Sequence, residues 1–150
     1  MKPVVFLRIA SVLALIHAVL HTVGGVFGKV DPGPQAVAVD AMMANHFPLM
    51  GNIRSYWEFY RGMGLAVSIF LTFEAVVFWQ LGSLARTDAR RLRPIIATFV
   101  VAYLAMAVNS YLYFFIAPVV TETLMAACLG AAIITAGSSE QATGKDRLQP

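Results

Sequence analysis

Four long apolar runs, separated by shorter polar connections, dominate the chain: residues 4–26, 57–81, 94–117 and 119–136. A helix needs about 20 apolar residues to cross the hydrocarbon of a bilayer. Each run is therefore read as one membrane span, and the chain as an all-α, transmembrane four-helix bundle. The first connection, 27–55, is too long for a plain hairpin loop. It opens on the turn Asp31-Pro32-Gly33-Pro34 and continues through an apolar stretch that holds Val39, Met42, Met43 and Phe47. That pattern predicts a short interfacial helix, with Pro48 and Gly51 punctuating the approach to the second span. Pro118 is expected to break the third helix, and Thr121-Glu122-Thr123 to open the fourth. Residues 1–137 then form one transmembrane domain, and 138–150 a mobile cytoplasmic tail.

Composition strengthens this picture. Hydrophobic residues make up 59% of the chain, charged residues only 13%, and the mean hydropathy is +0.72. A domain of 150 residues cannot hide that much apolar surface and still present a wet exterior, which excludes a soluble globular protein. The net charge of +3 is not a nucleic-acid signal, because the basic residues sit in clusters beside the apolar runs. Lys2 and Arg8 flank the first span, Arg86, Arg90, Arg91 and Arg93 fill the second connection, and Lys145 and Arg147 follow the fourth. With four spans all three clusters fall on one side, so both termini are expected in the cytoplasm. The first run has the basic start of a secretory signal. It is read as a span because no convincing small-x-small cleavage site follows and His17 and His21 interrupt it. The lone Cys128 makes no intrachain disulfide and sits in an Ala-rich run, as a small buried thiol does.

Polar residues inside the spans are the candidate chemistry. His17 and His21 lie one helical turn apart in the outer half of the first span. On the second, a 100° projection places Arg54, Glu58, Arg61, Ser68 and Thr72 on one stripe. Asn109 and Tyr113, again one turn apart, and Glu122 reach a similar level. Ionisable groups inside a membrane need a partner or a water-filled cavity. The pattern predicts an outward-facing polar pocket built from His17, His21, Arg54, Glu58, Arg61, Asn109 and Tyr113. Structural explanations stand beside it. Glu58 paired to Arg54 or Arg61 would lock the start of the second span. Tyr56, Trp57 and Tyr60 fit an aromatic belt. Gly62 and Gly64, like Ala126, Ala127, Gly130 and Ala131, suit close helix packing. Glu74, on the face opposite Glu58, marks a subunit contact, a lipid-facing protonated acid or a different helix phase.

The histidine pair admits three chemistries. With Glu58, His17 and His21 could hold a metal, although His17-Ala-Val-Leu-His21 lacks the intervening glutamate of zinc proteases. Haem fits less well than a single metal ion, since a bis-histidine haem normally takes ligands from opposite sides and two residues on one turn do not provide that geometry. The third chemistry has His21 and Glu58 exchanging protons with a bound substrate, oriented by Asn109 or Tyr113. No nucleophile motif or phosphate-binding loop is present, and the cofactor, if any, is not specified by the sequence.

The segments His21-Thr-Val-Gly-Gly25, Gly51-Asn-Ile-Arg54-Ser-Tyr-Trp-Glu58-Phe-Tyr-Arg61-Gly-Met-Gly64 and Tyr113-Phe-Phe-Ile-Ala-Pro118, with Met42 between the first two, resemble a family of small, uncharacterised bacterial membrane proteins with four predicted spans. The resemblance covers most of residues 4–136. It implies a bacterial inner membrane and a grouping of His21, Arg54, Glu58 and Pro118, and brings no activity or cofactor. The expected function is binding of a small lipophilic or amphipathic molecule, with or without His/Glu acid–base chemistry. The alternative is a non-catalytic membrane subunit or assembly factor whose polar stripe holds helices together. Expected partners are the lipid bilayer, that small molecule, and a second copy or another membrane protein.

Overall fold

The computed structural model describes residues 2–146, with side chains as far as residue 137. It holds five α-helices: α1 (Pro3–Leu20), α2 (Pro34–Ala44), α3 (Tyr56–Asp88), α4 (Arg93–Tyr113) and α5 (Ile116–Asp146). A π-helical segment, His21–Val26, continues α1. Four stretches, Pro3–Val26, Tyr56–Asp88, Arg90–Tyr113 and Ile116–Gly137, are long and apolar enough to cross a membrane. The fold is all-α with four such helices, as the apolar runs predict. Of the tail expected over 138–150, helical backbone is described to Asp146, and residues 147–150 lie outside the described residues.

The chain divides into two compact units. The first comprises residues 1–17 and 73–150 and contains a four-helix core. Leu7, Ala10 and Ala14 of α1 meet Ala75, Phe78 and Leu81 of α3, Ile96 and Tyr103 of α4, and Met125, Ala126 and Leu129 of α5. Spacings of mostly three, four and seven keep each set near one helical stripe. The many alanines let backbones approach closely, which matters in lipid, where apolar side chains gain little by leaving their surroundings and packing must hold the helices together. Phe78 fills the centre, edge-on to Phe99 at 4.9 Å between ring centroids. Large apolar residues such as Trp79, Val101, Leu112 and Ile134 remain exposed around this core. A water-soluble surface would not tolerate so continuous an apolar coat.

Two boundaries differ from the sequence expectation. The third helix ends at Tyr113 and α5 starts at Ile116, so the break falls at Phe114–Phe115 and not at Pro118. Pro118 occupies the first turn of α5, where backbone N–H groups have no intrahelical acceptor and a proline costs nothing. α3 runs on to Asp88 because neither Gly nor Pro stops it after residue 82. Asp88 then ties the following 3-10 turn, Arg90–Leu92, accepting from the Arg91 backbone N–H at 3.3 Å and pairing with its guanidinium at 2.9 Å.

The second unit, residues 18–72, holds the π-helical segment, α2, a β-hairpin and the start of α3. α2 matches the predicted short helix, with Pro34 in its first turn. The hairpin was not expected: β1 (His46–Leu49) pairs antiparallel with β2 (Asn52–Ser55), Leu49 opposite Asn52. Its two-residue turn has φ of 45° at Met50 and 85° at Gly51. Positive φ at both positions is the turn geometry that matches strand twist, and glycine supplies the second at no steric cost. Met50 is an unusual occupant of the first position and is 98% exposed. The hairpin base is fixed by aromatic contacts, with the Phe47 ring 4.7 Å from Tyr56 and 5.7 Å from Phe59.

Candidate functional site

In the second unit, the start of α3 is set by a local signal that the charge pattern obscured. Ser55-Tyr-Trp-Glu58 is a capping box. The Glu58 backbone N–H donates to Ser55 Oγ at 3.1 Å, and the Ser55 backbone N–H donates to Glu58 Oε2 at 2.8 Å. This corrects the predicted charged stripe. Arg54 lies in β2, before the helix, and its Nη1 donates to the Ile53 carbonyl at 3.3 Å. Glu58 is spent on the cap and makes no ion pair with Arg61 among the described residues. Ser55→Ala is therefore expected to cost about 1 kcal/mol, measured by denaturant titration in detergent micelles. A double-mutant cycle of Glu58→Ala with Arg61→Ala is expected to be additive, and significant coupling would restore the ion pair.

His21 opens the π-helical segment. Its Nδ1 lies 3.0 Å from Ser68 Oγ, and that hydroxyl is also 3.3 Å from the Gly64 carbonyl. The hydroxyl has one proton. Donated to Gly64, it leaves Ser68 accepting from Nδ1–H and Nε2 with a bare lone pair; donated to Nδ1, it leaves Nε2 protonated. In both tautomers Nε2 has no protein partner among the described residues. Two turns along α3, the Arg61 guanidinium lies over the Phe27 ring at 4.9 Å, with its Nε buried and unpartnered among the described residues. Between them, a Cβ built on Gly64 would stand 3.0 Å from Val26 Cγ2, so glycine is what lets the two segments approach. Gly62 faces open space and plays no such part.

In the first unit, His17 is half-buried on α1. Asn109 and Tyr113, predicted to line a pocket, lie on the exposed face of α4, with Tyr113 75% exposed. The buried stripe of that helix carries Tyr103, Ala107 and Ser110 instead. Ser110 Oγ donates to Glu122 Oε1 at 3.0 Å, and the Tyr103 hydroxyl donates to Glu74 Oε2. Glu74 thus takes part in the contact with α4, where a different helix phase would place it. Arg8 is half-buried: its guanidinium lies 3.4 Å over the Trp79 ring, and Nη2 donates to Ser83 Oγ at 2.9 Å. A cleft of about 670 Å³ is lined by Lys2, Val4, Ala85, Arg86, Asp88 and Arg90, among others, and by none of the predicted site residues.

No group of three or more His, Cys, Asp or Glu side chains is placed to hold a metal among the described residues. Of the candidate set His17, His21 and Glu58, the Glu58 carboxylate is held at the Ser55 backbone N–H.

Comparison with protein-family models, curated proteins and solved structures returned no match. Four apolar spans and their exposed apolar coat define the chain as a multi-pass integral membrane protein.

Proposed function

We propose that the protein binds an amphipathic molecule with an acidic head, a carboxylate or phosphate on a lipophilic chain, along the seam between the π-helical segment and the start of α3. The Arg61 cation, without an ion-pair partner among the described residues, carries this reading. A guanidinium half-buried within a span, stacked on Phe27 and lacking a carboxylate partner, is complementary to an anion, and Arg recognises such heads with parallel hydrogen bonds. Arg61, Gly64 and Ser68 share one face of α3, so His21 lies on the same seam, with Nε2 uncovered. π-Helical segments occur often at functional sites. Of the predicted ligand-binding residues, His21 and Arg61 carry this role, while Glu58 caps the start of α3.

The probe is a long-chain alkyl phosphate, compared with the alcohol of the same chain length, added to the full-length protein in detergent and read by thermal shift and native mass spectrometry. The phosphate is expected to bind more tightly. Arg61→Gln should weaken phosphate binding about tenfold, a change of about 1.4 kcal/mol, and His21→Gln should weaken it less. Equal binding of phosphate and alcohol, or an unaltered Arg61→Gln variant, sinks the proposal. The subunit or assembly reading would then take its place, supported by the intrachain bonds of Glu58, Glu74 and Glu122.

The arginine distribution and the family resemblance support a bacterial inner membrane, with both termini cytoplasmic and residues 32–51 outside. In a Cys128→Ser background, Gln35→Cys is expected to react with an impermeant maleimide added to intact cells. Labelling only after the inner face is opened would reverse the orientation.

A further inference from the structure

The four-helix core of the first unit contains a carboxyl group that its own packing does not satisfy. Glu122 is only 2% exposed. Its Oε1 accepts from Ser110, whereas Oε2 is buried without a hydrogen-bond partner among the described residues. The buried residues that follow it on α5 are Met125, Ala126 and Leu129, all apolar. An ionised carboxylate in such a place has one oxygen with neither donor nor countercharge, whereas the acid form carries no charge to stabilise.

Two arginines of the packed elements lie against other residues. Arg8 on α1 is held by Trp79 and Ser83, and Arg93 on α4 lies beside Gly137, about four turns along α5 from Glu122. The titratable groups on the neighbouring helices are Tyr103 on α4, within electrostatic reach of Glu122, Glu74 on α3, bonded to that same phenol, and His17 on α1, one turn beyond the buried Ala14. A second carboxylate near the first adds negative potential and no compensation.

We propose that Glu122, held by Ser110 in the helical core, is a proton-binding site within the membrane, its ligand a single exchangeable proton on the carboxyl group. The site is separate from the Arg61 seam and does not depend on it.

A hydrophobic carbodiimide tests this in the full-length protein. Such a reagent takes the carboxyl proton on nitrogen and adds the carboxyl oxygen at its central carbon, and an acyl shift from oxygen to nitrogen then leaves a stable N-acylurea with no group lost. Only a protonated carboxyl within reach of an apolar reagent reacts. Intact-mass and peptide analysis are expected to show one adduct, on Glu122, that fades as pH rises. A water-soluble carbodiimide should give far less. Glu122→Gln should abolish the adduct, and Glu74→Gln should leave it in place. Should Glu122→Gln fail to fold, peptide mapping of the wild-type adduct locates the reacting group directly.

Absence of an adduct at every pH in protein that remains folded, or an adduct elsewhere, overturns the proposal. So does labelling that persists undiminished into alkali. Protection by sodium at constant pH would assign the site to a metal cation and overturn it equally. A pH profile abolished by His17→Gln would place the titrating proton on the histidine and have the same effect.

Discussion

Phe78→Ala is expected to destabilise the folded protein by on the order of 3 kcal/mol, the larger of two packing effects. Phe78 is fully buried in the four-helix core, edge-on to Phe99 and 6.1 Å from the Tyr103 ring. Lipid solvates apolar side chains about as well as a protein core does, so the transfer contribution to this loss is small. The main cost is the dispersion contacts forfeited around a cavity that rigid helices cannot collapse. Phe70, on the same helix but 69% exposed, is the control. Its truncation to alanine should change stability little. Reversible unfolding in mixed micelles, with both variants measured against the parent, checks the contrast, and equal losses would show that the Phe78 site is not a packed interior.

Gly64→Leu is expected to separate the π-helical segment from α3 and to abolish the His21–Ser68 hydrogen bond. A Cβ at this position already stands 3.0 Å from Val26 Cγ2, closer than ordinary carbon contacts, and the remaining leucine carbons have to enter the space Val26 occupies. Overpacking of this kind typically costs about 1–3 kcal/mol. Two milder changes isolate the cause. Gly62→Ala, two residues earlier and facing open space, should stabilise the helix by up to about 1 kcal/mol through backbone entropy alone. Gly64→Ala should fall short of that gain, and Val26→Ala combined with it should recover most of the deficit. If Gly62→Ala and Gly64→Ala behave alike, no close approach exists at Gly64. Alkyl phosphate binding by Gly64→Leu should fall with the seam, linking this packing contact to the proposed ligand.

Local and one-dimensional signals were legible in the chain. Span number and approximate bounds follow from runs of apolar residues, because a backbone in lipid must satisfy its own hydrogen bonds and a helix does so within one segment. Pro34 in a first turn marks α2. The capping box at Ser55 and Glu58 was equally available, a serine followed three residues later by glutamate, but the arginines on either side suggested ion pairing instead. The hairpin at 46–55 was not readable, since Pro48-Leu-Met-Gly51 lacks the Asn-Gly or Asp-Gly pair that usually announces such a turn.

Rotation about the helix axis was decided only by packing. In a soluble helix the polar face identifies the outside, but a spanning helix is apolar all round, so its inward face carries no such mark. On α4 the pair Asn109 and Tyr113 looked like the inner face, whereas Ser110, one residue away and 100° around, is the buried partner of Glu122. The same limit hid Tyr103 as the acceptor-seeking partner of Glu74, and Trp79 and Ser83 as the seat of Arg8. That His21, Arg61, Glu74 and Glu122 fall within apolar runs long enough to span is a matter of composition over about 20 residues, which hydropathy reads directly. Tertiary structure alone decided which of them found partners, because hydrogen bonding across helices depends on a few ångströms of approach and on phase, and neither is written in hydropathy.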